Sequence, residues 1–205
     1  MRVWDIHPGF LNRQSLLGEH REIHAIHTIV SRQKKGYSRH PETLRWRNHL
    51  PALWLRHQQV VAEMRVRGFK HFSPLPALLA EVIWPSVFID APSRQFELLV
   101  GKYTTKEQGR IPLPANTEEL LGSHALSLIS RECLPAEANP ATSGSFASLA
   151  EALVHRLRQQ PTEKGRAEML ALLEVPNLCE ANLPLDYIPP TARQATVLNE
   201  LLLWP

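Results

Sequence analysis

NRQSLLGEHREIHAIHTIVSR, residues 12–32, decides how the first third of the chain folds. Asn12 and Ser15 are both good helix N-caps, and Leu16, Ile23, Ile26 and Val30 fall on one apolar stripe, so a helix is predicted from this point to about Arg32. At about 100° per residue, His20, His24 and His27 lie within about 40° of one another, while Glu22 points to the opposite side. Gln14, Gly18, Arg21, Glu22 and Ala25 share that other sector. Its two small residues leave room around an amide, a guanidinium and a carboxylate, the outline of a site. An adjacent Glu–Arg pair is also what an ordinary solvated helix face carries, and periodicity does not separate the two readings.

The histidines invite a metal reading and do not satisfy it at this level. A zinc site of His20, His24 and His27 needs a fourth ligand, and in His-Arg-Glu-Ile-His the glutamate does not directly follow the first histidine as in the zincin motif. No metal is expected, and the three rings are read as a polar flank.

Outward from this helix, SRQKKGYSRH breaks the pattern with a glycine and the basic cluster Lys34, Lys35 and Arg39. Pro41 opens a second helix, and a third is predicted from Pro51 to Arg67, stopped by Gly68. The proline-broken stretch PLPALLAEVIWPSVFID, with the residues from there to Pro114, reads as extended or irregular. Thr117 to about Arg131 reads as one helix, 134–148 as a linker, and 147–159, 163–174 and the end after Pro190 as further helices. The fold class is mainly α: a compact helical core with an additional helical or irregular C-terminal region.

With 43% hydrophobic residues, 205 positions suffice for one good core. The opening thirty residues are too charged for an export signal, and no segment reads as a membrane span. Cys133 and Cys179 stand apart without a second pair, which suits thiols in the cytoplasm. Charge is divided: residues 1–70 carry 13 Lys or Arg against 5 Asp or Glu, leaving 10 against 15 in residues 71–205. A basic first third is the footprint of a polyanion-binding face. The acidic remainder is read as a surface for a protein partner.

Four linked stretches carry a resemblance. MRVWDIHP at the start, GEHREIH, KKGYSRHPETLRW and RHQQVVAEMRVRGF together resemble the pyrimidine-dimer DNA glycosylases over about residues 1–75. The resemblance implies a compact helical glycosylase core in 1–75. Residues 76–205 form an added, mostly helical region, in which DYIPPTARQA, 186–195, echoes the family again, as though 186–205 returned to the core after an insertion.

By that resemblance the chain removes a base at a pyrimidine dimer or abasic lesion and then breaks the strand as an abasic-site lyase. The nucleophile would be the α-amine of Met1, a group whose ordinary pKa of about 7.7–8.0 leaves a neutral fraction at physiological pH. Glu22 matches the catalytic glutamate, Arg21 and Arg2 match DNA-contacting arginines, and Gln14 matches a glutamine that holds the distorted duplex. Lys34, Lys35 and Arg39 are assigned to the DNA backbone. Damaged double-stranded DNA is the expected partner, in a cytoplasmic, nucleoid-associated setting, with neither metal nor organic cofactor and no membrane. The chain departs from the family at Ser15, where a histidine is usual, and at Ala25, where a further arginine is usual. The same residues admit two other readings: a lyase confined to abasic sites, and a DNA-binding adaptor without catalysis.

Overall fold

The structure, a computed structural model, describes residues 1–77, 80–131 and 144–172 together with positions 197, 198 and 201. Most of the linker reading, both cysteines, DYIPPTARQA and most of the final helix reading lie outside the described residues.

Among the described residues there are eight α-helices and no strand: α1 (Arg13–Ser31), α2 (Pro41–Trp46), α3 (Leu50–Val66), α4 (Pro92–Tyr103), α5 (Thr117–Ser123), α6 (Ala125–Ile129), α7 (Phe146–Leu157) and α8 (Glu163–Leu172). No described helix is long and apolar enough to cross a membrane.

The caps explain where the first helices begin. The Asn12 side chain accepts the Ser15 N–H at 2.9 Å, and His40 Nδ1 accepts that of Glu42 at 3.2 Å, each satisfying one of the orphan donors of a first turn. Pro41, Pro51 and Pro92 all sit within a first turn, where no N–H is needed. After α3 the chain turns through Gly68, whose φ of +73° is the left-handed conformation that glycine adopts without strain.

Helix α1 buries Leu16, Ile23 and Ile26 against α3, which is covered on nearly all sides. The core around them takes in Phe10, Trp46, Leu53 and Val60 from the first third. It also takes in Phe96 and Leu99 of α4, Leu120 of α5, and Leu149 and Leu153 of α7. One apolar cluster thus runs from Val3 to Val154. A second, smaller one gathers Met169 of α8 with Val197, Leu198 and Leu201, and Val66 of α3 packs against it.

Two expectations change. The stretch before Pro114 contains α4, because Pro92 starts a helix as well as it breaks one, and Phe96, Leu99 and Tyr103 then share a buried side. The single helix predicted over 117–131 is divided at His124, whose backbone leaves the helical range and whose Nδ1 lies 2.9 Å from the Leu120 carbonyl. Between α4 and α5, Gly109 lets two backbones touch: a Cβ there would stand 2.5 Å from the Gly9 carbonyl oxygen, beside the 2.9 Å hydrogen bond from Ile111 N–H to that same oxygen.

Candidate active site

The amino-terminal segment belongs to no helix or strand, and its backbone donors at residues 3–5 are taken by side chains from three different helices. Val3 N–H donates to Glu42 of α2 at 3.2 Å, Trp4 N–H to Glu19 of α1 at 3.1 Å, and Asp5 N–H to Gln95 of α4 at 2.8 Å. Each acceptor is held in turn. Arg56 of α3 donates to both oxygens of Glu19, at 2.8 and 3.1 Å, and Trp46 Nε1 donates to Glu42 at 3.2 Å. Gln95 reaches Asp5 Oδ2 at 2.9 Å. Asp5 also pairs with Arg45 and, at 2.7 Å, with Arg158 beyond the end of α7. Paired charges of this kind are the form in which ionised groups persist inside a protein.

Burial pushes the Glu19 and Glu42 carboxyls above the usual carboxylate range, against the pull of Arg56 and Arg45 respectively. Their work is structural: they fix the course of residues 3–5 and hence the position of Met1.

Met1 opens onto a cleft of about 470 Å³ lined by Arg2, Trp4, Gln14, Ser15, Gly18, Glu19, Glu22, Leu98 and Lys102 as well. Four residues singled out from the sequence, Met1, Arg2, Gln14 and Glu22, therefore face one space. Gly18 contributes the expected gap, with nothing within 4 Å of where its Cβ would be. Arg21 is exposed on the neighbouring side of α1 and does not line the cleft. The Arg2 guanidinium pairs with Asp90 at 2.7 Å and lies 4.9 Å from the centre of the Trp4 ring.

Two lining residues come from α4, where sequence reasoning placed no site: Leu98 and Lys102. Lys102 Nζ donates to Ser15 Oγ at 2.9 Å, so a cation from α4 stands at the position where the chain has Ser15 in place of the histidine usual in the resembled family. Burial holds the Lys102 ammonium below the usual lysine range, with help from Lys106 and Arg2. Only the apolar and polar spacing of α4 could have signalled it, and that helix was itself missed.

Lys34, Lys35 and Arg39 lie apart from this cleft, in the exposed connection between α1 and α2. Lys34 and Lys35 line a second concavity of about 390 Å³ with Arg47 and Thr43. Thr43 links the two regions, since its hydroxyl lies 3.9 Å from Met1 Sδ. The connection is held in an uncommon shape: Gln33 and Tyr37 have φ of 49° and 56°, and Tyr37 projects with 72% of its surface exposed. Left-handed non-glycine residues concentrate where a loop must present side chains in a fixed way.

No curated protein and no solved structure matches the chain. Residues 1–76, which carry Met1, Arg2, Gln14, Arg21, Glu22 and the basic connection, match the model of the pyrimidine dimer DNA glycosylase family, a family of DNA repair.

Proposed function

We propose that this protein is a DNA glycosylase with abasic-site lyase activity, acting through the Met1 α-amine on a pyrimidine dimer or abasic lesion in duplex DNA. The observation that carries this reading is the shared cleft: Met1 and Glu22 line one space large enough for a nucleotide withdrawn from the stack. The neutral amine attacks deoxyribose C1′; the N–C1′ bond forms as the bond from C1′ to the base breaks, and the base leaves with a proton. Opening of the sugar ring gives a protonated Schiff base. Removal of a C2′ proton then expels the 3′ phosphate by β-elimination, and water releases the amine. Glu22 supplies the negative charge that stabilises the cationic sugar and the carboxylate that moves protons.

The surrounding residues divide the remaining tasks. Gln14 contacts the distorted duplex beside the cleft, and Arg2 and Lys102 attract its phosphates. Arg21, Lys34, Lys35 and Arg39 extend the positive surface along the duplex, with Tyr37 as an exposed aromatic among them.

Borohydride trapping on a duplex with one abasic site tests this reading, followed by mapping of the crosslinked residue. The expected adduct is on the Met1 nitrogen, and an amino-terminal extension abolishes it. An adduct on Lys102 moves the nucleophile to α4 and overturns the role of Met1; no adduct at all overturns the lyase. Duplexes with a dimer and with an abasic site, compared side by side, show whether base removal belongs to the activity.

A further inference from the structure

Away from the cleft, α1 presents a second concentration of chemistry. His20 and His24 stand one turn apart on α1, His57 comes from α3, and His71 from the segment just after α3. One ring nitrogen from each of the four lies within 4.8 Å of the other three. The Nε2 atoms of His24 and His57 are 3.2 Å apart, and the ring of His20 is centred 4.7, 5.0 and 5.1 Å from those of His24, His57 and His71. His57 is fully buried, and His20 Nε2, His71 Nε2 and His57 Nδ1 are buried without a hydrogen-bond partner in the protein.

A cluster of this kind has to be explained. Burial, and then the neighbouring rings, hold His57 at about 3 and His20 at about 4, and burial also lowers His24 and His71. At neutral pH these are uncharged imidazoles, each offering one lone pair. Among the described residues no carboxylate joins the group. Three buried ring nitrogens without a partner are costly.

We propose that His20, His24, His57 and His71 bind a divalent transition-metal ion of the kind that prefers imidazole, with zinc as the reference case. A tetrahedron with metal–nitrogen bonds of about 2.0–2.1 Å has edges of about 3.3–3.4 Å. The His24–His57 pair already stands near that spacing, and the other nitrogens approach it by ring rotation. The backbone of Ser73 counters part of the burial of both His24 and His71, so one backbone group stands beside two of the four rings. Four nitrogens and no oxygen ligand select against magnesium and calcium. Four protein ligands also leave no open position, so the ion is structural: it joins α1, α3 and the chain beyond Gly68 at one point. The sequence grouped His27 with His20 and His24 because they share a helix face; the structure replaces it with His57 and His71 from distant positions.

The test uses the full chain without an affinity tag, stripped with a chelator and titrated with zinc, cobalt and magnesium. One equivalent of zinc is expected, with a rise in Tm that magnesium does not produce, and the absorption bands of tetrahedral cobalt. His71→Asn and His24→Asn, at the more accessible side of the cluster, weaken zinc binding about tenfold or more and abolish the cobalt bands. His27→Asn leaves both unchanged. Absence of zinc binding, or equal binding in the wild type, His71→Asn and His24→Asn, overturns the site.

Discussion

Glu19 accepts the Trp4 backbone N–H at 3.1 Å while its two oxygens receive the Arg56 guanidinium, so one buried carboxylate couples the amino-terminal segment to α3. The coupling is what turns an otherwise free chain end into a wall of the cleft. Arg56→Met removes the cation that offsets the burial of Glu19 and leaves a buried carboxyl without its ion-pair partner, to stay charged or take up a proton, a loss of about 3–5 kcal/mol. Urea unfolding measures it, and a change below about 1 kcal/mol contradicts the role assigned to this pair.

Glu22 and Glu19 both line the cleft, but Glu19 is buried and held by Arg56, which commits it to the fold. Glu22→Gln is therefore expected to lower strand cleavage of an abasic duplex by about 10²–10⁴-fold, with duplex affinity and Tm close to wild type. Cleavage within a few-fold of wild type removes Glu22 from the mechanism. A large fall in Tm identifies it instead as another structural carboxylate.

The exposed cations of the α1–α2 connection are expected to act on phosphates. Replacing Lys34, Lys35 and Arg39 together by Gln lowers affinity alike for damaged and undamaged duplexes. It also flattens the plot of log affinity against log salt by about 0.9 per lost contact. Arg21→Ala acts in the same direction by one contact. An unchanged slope in fluorescence-anisotropy titrations places the duplex elsewhere.

Glu63 makes stability depend on pH. It is fully buried, which raises its carboxyl, but Arg110 at 2.8 Å and Arg67 at 2.6 Å outweigh burial and hold it below the ordinary value of 4.5. A depressed carboxylate contributes stability that is complete above the unfolded value and is lost as pH falls through the folded one. Glu63→Gln is thus expected to cost most at neutral pH, and its difference from wild type to shrink below pH 4.5. Tm measured across pH 3–7 by calorimetry checks this, and a constant difference contradicts it.

Local signals in the first third of the sequence were strong enough to read α1 and α3 almost to the residue, and the start of α2. Asn12, Pro41, Pro51 and Gly68 are caps and stops whose effect does not depend on distant packing. Gln14, Gly18 and Glu22 were legible for the same reason, being placed by helical period alone. Glu19, Arg56, Gln95 and Lys102 were not, since each acquires its role only from a partner tens of residues away. The prolines near α4 pointed away from a helix because a proline at a first turn and one within a helix look alike until the turn is known. His57 and His71 escaped notice through the same dependence on tertiary contact.

Arg158 touches Asp5 across almost the whole length of the described chain. During synthesis at about 5–20 residues per second, the end that leaves the ribosome first waits about 8–30 s for the residue that completes its anchorage. A nascent polypeptide that stops at residue 76 lacks Gln95, Leu98, Lys102 and Arg158, so the lining of the cleft is complete only once translation has passed α4.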